Sequence, residues 1–271
     1  KDVMIQPKNT ISNSRFEIDI KREFKFKFSK HNWKGIPIIG YNTAGTFEVY
    51  DVLSSRKIIT CFHKFYTVKD FKEKIKKTTL NPDYFMISTD IQESNFSNLY
   101  EIISITKAKW VCIDITNEKT LYSVNYCKKI RESFPDIIIV AGNVLTKEAT
   151  INLISNGVDC VKIGPDSSYL TYLKTGVGIP QLTAVMECAA AAHSVGGFII
   201  NDGLITCPGD VVKAFGGGAD FVSIKQFDEQ NENLDNTVTD YLGGIRLACV
   251  YINAKSIESI PKNTTFLIAS Q

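Results

Sequence analysis

The sequence predicts a single-domain α/β protein, a closed (β/α)8 barrel, because eight short apolar runs alternate with helical segments at near-constant spacing through 271 residues. A barrel of this kind takes ~250 residues, so one domain over 1–271 accounts for the chain, and no low-complexity tract interrupts it. The runs fall at 36–40, 58–62, 84–88, 110–114, 137–142, 160–164, 198–203 and 221–225. They are apolar in nearly every position instead of alternating, the pattern of a parallel strand covered on both faces. Eight such units fit a closed barrel better than an open doubly wound sheet.

Ahead of the first run, 21–34 is the most basic stretch, and its lysines alternate with Phe24, Phe26 and Phe28, which reads as a strand with one solvated face in preference to an RNA-binding patch. After the run 58–62, Thr67 opens a helical segment at 67–77, and the connection 64–83 leaves no room for an inserted regulatory domain. Further helical segments, at 95–107, 121–133, 146–156, 181–195 and 208–217, separate the later runs and carry apolar residues three and four apart. Gly216-Gly217-Gly218 reads as a helix C-cap leading into the eighth run, and His193 as a capping or packing residue. The acidic, Asn-rich stretch 226–236 reads as an exposed loop before a last helix at 237–254.

Hydrophobic residues make up 44% and charged residues 22%, enough apolar material for a full core and too balanced for a disordered or fibrous chain. The net charge of +2 is too small to draw nucleic acid by a long-range field, so no nucleic-acid partner is expected. No run approaches the ~18 apolar residues of a membrane span. Seven scattered cysteines, without a C-x-x-C pair or a histidine at ligand spacing, point to reduced thiols and to no metal site. An intracellular, cytoplasmic protein is expected; because the sequence opens with Lys1, a mitochondrial protein freed of a transit peptide is the alternative.

In a barrel, chemistry belongs at the C-terminal ends of the strands, which singles out Asn42, 63–66, 114–117, 142–144, 164–171 and 202–204. The loop 164–171 is dense in Gly, Pro and Ser and can turn backbone N–H groups and hydroxyls onto a phosphate. Asn201-Asp202-Gly203 offers a carboxylate for two ribose hydroxyls and a glycine that admits a ligand to the backbone. As isolated patterns, plain turn chemistry explains both better than a ligand does. Lys64, at the end of the second run, is placed for a ligand.

These residues resemble one family closely. Lys174-Thr-Gly-Val-Gly-Ile-Pro-Gln-Leu-Thr-Ala-Val-Met-Glu-Cys-Ala, Asn201-Asp-Gly and Cys207-Pro-Gly-Asp-Val-Val-Lys-Ala-Phe-Gly-Gly-Gly-Ala-Asp-Phe-Val222 are similar to the IMP dehydrogenase and GMP reductase family, on its GMP reductase side. Gly35-Ile-Pro-Ile-Ile, Gly45-Thr-Phe-Glu, His63-Lys-Phe-Tyr, Ala141-Gly-Asn-Val, Leu242-Gly-Gly-Ile-Arg and Thr264-Thr-Phe extend the resemblance along the chain. It implies a TIM barrel, typically a homotetramer, that reductively deaminates GMP to IMP and ammonia with NADPH, an oxidoreductase of purine metabolism. A cysteine thiolate there attacks the purine, and the adduct accepts hydride from the nicotinamide.

The family's catalytic loop, Gly-Pro-Gly-Ser-Val-Cys-Thr-Thr-Arg, stands here as Gly164-Pro-Asp-Ser-Ser-Tyr-Leu-Thr-Tyr172. Ser167 thereby falls on the phosphate-contacting serine, Tyr169 on the nucleophile and Thr171 on the assisting threonine. A phenol, with an ordinary pKa of ~10, is a poor and bulky substitute for a thiolate. The resemblance further places Asp202, Gly203 and Asn143 on the nucleotide, and Lys64, Asp114 and Asn117 beside the cofactor, all as vestiges of those sites. The family's phosphate-contacting glycine pair is Ile224-Lys225 here, and its flap is absent around 226–240. The implied protein is a pseudoenzyme that holds no cofactor and serves as a structural or regulatory subunit in a homotetramer or larger assembly. The alternatives are an active GMP reductase, with a thiol such as Cys207 substituting, or a module that binds GMP or IMP without chemistry.

Overall fold

The computed structural model describes residues 3–10, 14–41, 43–115, 120–164, 174–203, 205–227 and 233–269. At its centre eight parallel strands close on themselves: β4 (Ile38–Gly40), β5 (Ile59–Phe62), β6 (Phe85–Asp90), β7 (Trp110–Asp114), β8 (Ile138–Val144), β9 (Cys160–Ile163), β10 (Phe198–Asn201) and β11 (Phe221–Ile224). Each pairs with its neighbour in sequence, and β11 pairs with β4. This is the expected (β/α)8 barrel, every strand lying on one of the apolar runs. Cys61, Met86, Cys112 and Val140 belong to the interior core; Phe62, Ile87, Val111 and Ile139 belong to the outer one, against the helices.

The surrounding helices are α1 (Phe47–Ser55), α2 (Val68–Lys77), α3 (Phe96–Thr106), α4 (Thr120–Ser133), α5 (Lys147–Ser155), α6 (Gln181–Ser194), α7 (Pro208–Gly216), α8 (Leu234–Tyr251) and the short α9 (Ile260–Asn263). Their ends follow local chemistry. Thr67 and Asp70 form a reciprocal capping box that starts α2, and Lys74, Lys76 and Lys77 sit in its last turn, where the helix dipole favours cations. Pro208 opens α7, where its missing N–H costs nothing. α1 lies where no helix is predicted: the Thr46 hydroxyl accepts from Val49 N, and Val49, Tyr50 and Leu53 form its short buried stripe. α8 starts at Leu234, which is buried, so the exposed loop expected over 226–236 is shorter than predicted.

The basic stretch forms an antiparallel hairpin, β2 (Arg22–Lys25) with β3 (Asn32–Gly35), across the N-terminal end of the barrel. Its alternation is as expected: Phe24, Phe26 and Trp33 turn into the bore, and the lysines between them turn out. Phe24 stacks on Phe221 at 4.3 Å and Phe26 meets Trp110 edge-on at 5.2 Å. The hairpin is also tied around the rim. Trp33 Nε1 donates to Asp83 O, Phe28 N to Asp159 Oδ1 and Lys27 Nζ to Val195 O, while Arg22 pairs with Asp220. Each of these partners precedes a barrel strand, so the connections at that end converge on one hairpin. A separate antiparallel pair, β1 (Val3–Ile5) with β12 (Phe266–Ile268), joins the two ends of the described chain and is not foreseen in the sequence.

Candidate active site

At the C-terminal ends of the strands the polar groups are organised by Lys162, the charged residue of β9, a strand buried along its length. Its Nζ lies 3.1 Å from Asp114 Oδ1, at the end of β7, and 3.1 Å from Asp202 Oδ2, just past β10. Asn143, on β8, donates to the same Asp202 oxygen at 2.7 Å. The four residues thus come from four consecutive strands and form one arc of the mouth. An ammonium with 6% of its side chain exposed needs such partners. Burial alone would push its pKa down, but the pull of Asp202, then of Cys112 and Asp114, outweighs it and holds Lys162 well above the usual lysine value.

Two glycines of the recognised motifs serve this packing. Gly142 has φ +148°, and a Cβ on it would stand 2.6 Å from the Lys162 carbonyl oxygen, so β8 can pass that close to β9 only without a side chain. At Gly203 a Cβ would meet Cδ of Gln181 at 2.7 Å, so the missing side chain lets α6 pack close there. The Gln181 amide donates to Ile163 O and to Asn201 Oδ1.

Tyr41, directly after β4, is buried over the bore. The ammonium of Lys225 lies 4.4 Å from its ring centre and that of Lys162 5.7 Å, within cation–π range. Below the ring remains a cavity of about 10 Å³, lined in part by Cys61, Cys112, Lys162 and Asp202, about the space of one water. The thiol of Cys61 lies 3.1 Å from Ser88 Oγ, and a hydrogen bond with Cys61, with burial, pushes the Cys112 thiol well up.

Of the residues expected at the site, the structure brings Asp114, Asn143 and Asp202 together and leaves Lys64 apart. Lys64 pairs with Asp90 at 3.5 Å, on a carboxylate that also accepts from Asn95. Asn42, Asn117, Ser167, Tyr169, Thr171 and Leu204 lie outside the described residues. Cys207 is exposed and caps the start of α7. Among the described residues no group of three or more His, Cys, Asp or Glu side chains is arranged to hold a metal, and no helix is long and apolar enough to cross a membrane. Sequence reasoning missed Lys162 and Tyr41, and met Lys225 only as a replacement in the family's glycine pair. For Lys162 the signal was present: a lysine inside an otherwise apolar strand run must find countercharge within the protein.

Comparison with known proteins agrees with this geometry. Residues 64–228 match the IMP dehydrogenase / GMP reductase domain. The GMP reductase of Yersinia enterocolitica is 38% identical over 323 residues, covering 98% of this chain and 93% of the relative. That of Yersinia pestis (strain Pestoides F) shows the same identity and coverage. Since that alignment is longer than this chain of 271 residues, these relatives carry segments that the chain lacks. A crystal structure of inosine 5′-monophosphate dehydrogenase from Legionella pneumophila superposes with a TM-score of 0.81 at 24% identity, over 100% of this chain and 97% of that one, which speaks for the fold. The chain therefore belongs to the IMP dehydrogenase / GMP reductase family.

Proposed function

We propose that this chain is a noncatalytic member of its family, which keeps the barrel of a GMP reductase without the thiolate chemistry and serves as a structural or regulatory subunit. One observation carries the reading: none of its seven cysteines is both exposed and on the arc around Lys162. Cys61, Cys112, Cys127, Cys160, Cys188 and Cys249 are buried. Burial lifts the Cys127 thiol to about 12 and the Cys249 thiol to about 11, and pushes Cys160 and Cys188 up as well. The protonated thiol is not the nucleophile. Cys207 is exposed, but it sits at the start of α7, and an offset of even ~1 Å in an attacking atom can cost about a hundredfold in rate. Tyr169, at the position of the family's nucleophile, supplies no sulfur.

The described residues carried over for a nicotinamide cofactor support the same reading. Lys64 and Asp114 are each held in an ion pair within the chain, with Asp90 and Lys162. The test is oxidation of NADPH in the presence of GMP, with mass spectrometry for a purine adduct on cysteine. No consumption above the buffer rate and no adduct are expected. Turnover that Cys207→Ser or Tyr169→Phe abolishes would overturn the proposal.

A second reading, retention of the nucleotide without chemistry, is favoured by Asp202 Oδ1. That oxygen is buried and finds no donor among the described residues, whereas Oδ2 takes both Lys162 and Asn143. An unsatisfied buried acceptor costs ~1–3 kcal/mol, which a ribose hydroxyl would recover. Calorimetry with GMP and IMP decides it: absence of heat rules it out, and binding weakened by Asp202→Asn supports it.

A further inference from the structure

The hairpin that plugs the barrel shows its outward face to solvent at the end opposite the mouth, and that face has no part in the reading above. Lys21, Lys25 and Lys34 are exposed on it, beside Lys27 and Lys30, whose ammoniums reach Val195 O and Asp136, against one exposed acid within the hairpin, Glu23. Lys57 and Lys107, exposed in the connections that precede β5 and β7, extend the positive charge around the rim. Asp83 and Asp136, in the same rim, are already paired with Lys109 and Lys30. Over the whole chain the net charge is only +2, so the rest of the surface is negative and the excess is concentrated at this end. A small total thus conceals a one-sided field, and that field, not the total, selects a partner.

We infer that the outer face of this hairpin binds the phosphate backbone of nucleic acid, without regard to sequence. Three features choose this partner over an anionic membrane. Every aromatic residue of the hairpin strands is turned inward: Phe24 and Trp33 are almost wholly buried, so no apolar side chain stands out to enter a lipid surface. Lys21, directly before β2, and Lys25, its last residue, lie on its outward face, four positions and about 13 Å apart on an extended strand, close to four rises of about 3.4 Å along a nucleic-acid strand. The strand is anchored from beneath by Arg22 on Asp220 and by Phe28 N on Asp159, which keeps the lysines on a rigid base. The lack of an outward aromatic also denies unpaired bases a stacking surface, so duplex is bound at least as well as single strands.

The experiment is fluorescence anisotropy of the full chain with a labelled random duplex of about 20 base pairs, from about 50 to 200 mM salt. With about four phosphates neutralised, the logarithm of the affinity should fall with the logarithm of salt at a slope of about −3 to −4, roughly a hundredfold over that range. Lys21→Glu/Lys25→Glu should weaken binding at least tenfold and shallow the slope by about 2, without changing circular dichroism or Tm. A control with the same charge change elsewhere, Lys69→Glu/Lys128→Glu, should bind like the wild type. The inference is overturned by no duplex binding at low salt, by equal loss in the control, or by an unaffected hairpin variant. Cosedimentation with phosphatidylserine vesicles in the absence of any duplex binding overturns it too, in favour of a membrane.

Discussion

At its N-terminal end the barrel is stopped by rings: Phe24, Phe26 and Trp33 fill the bore against Trp110 and Phe221, and the polar groups there are spent on tying the hairpin to the rim. At its C-terminal end the bore is stopped by ions: Lys162 between Asp114 and Asp202, with Tyr41 across it and Lys225 on the ring. The first plug gains from apolar area removed from water, which is non-directional. The second gains only from geometry, since each buried charge must be returned its lost hydration by named partners. The apolar end should therefore respond to volume and the ionic end to charge.

The largest expected effect lies at the apolar end. Trp33→Ala empties a fully enclosed indole site and strands the Asp83 carbonyl, and should lower the unfolding free energy by ~3–5 kcal/mol in urea titrations. A cost below ~1 kcal/mol would show that the hairpin is not part of the cooperative core. Lys162→Met keeps volume and removes the charge, leaving Asp114 and Asp202 side by side; ~3 kcal/mol is expected. If this change is neutral, the mouth is wetter than its burial suggests. Because the Lys162 pKa is raised above 10.5, its contribution should stay whole at neutral pH and be lost only as pH climbs through that raised value.

The smallest effect concerns a tie between hairpin and rim. Asp220 is shared by Arg22 at 3.1 Å and His193 at 2.8 Å, and the hydrogen bond to Asp220 raises the His193 pKa above 6.5 against the opposing pull of burial. A raised histidine stabilises fully below its unfolded value and progressively less as pH rises through its folded one. Wild-type stability should thus slip slightly as pH rises above about 6.5, and His193→Gln should flatten that slope. An unchanged slope in the variant would assign the dependence elsewhere.

The barrel was legible because its strands are largely apolar and recur at near-constant spacing, a signal that survives without any knowledge of partners. Phe24-Lys-Phe-Lys-Phe28 gave up its inward and outward faces for the same reason. Less legible were contacts made by residues distant in sequence. Asn143 and Asp202 were singled out separately, and nothing local says that Lys162 joins them. Tyr41 was invisible, because a tyrosine after a strand is ordinary until the fold sets two lysines around it. α1 was overlooked because its buried stripe is only Val49, Tyr50 and Leu53, too short for periodicity to stand out. The pair β1 and β12 joins segments at opposite ends of the described chain, beyond the reach of any local pattern.

The ties around the hairpin also bear on how the chain reaches its final form. Phe28 and Asp159 are 131 positions apart and Lys27 and Val195 168 apart, while the Phe24 ring rests on a residue of the last barrel strand. The hairpin is made before any of the barrel strands, yet its rings have nowhere to go until those strands exist. A nascent chain must therefore carry Phe24, Phe26 and Trp33 uncovered until the eighth barrel strand is made, an interval in which apolar surface invites misassociation. The alternating lysines on the same strands keep that waiting segment dissolved, and formation of the eighth strand lets it seat.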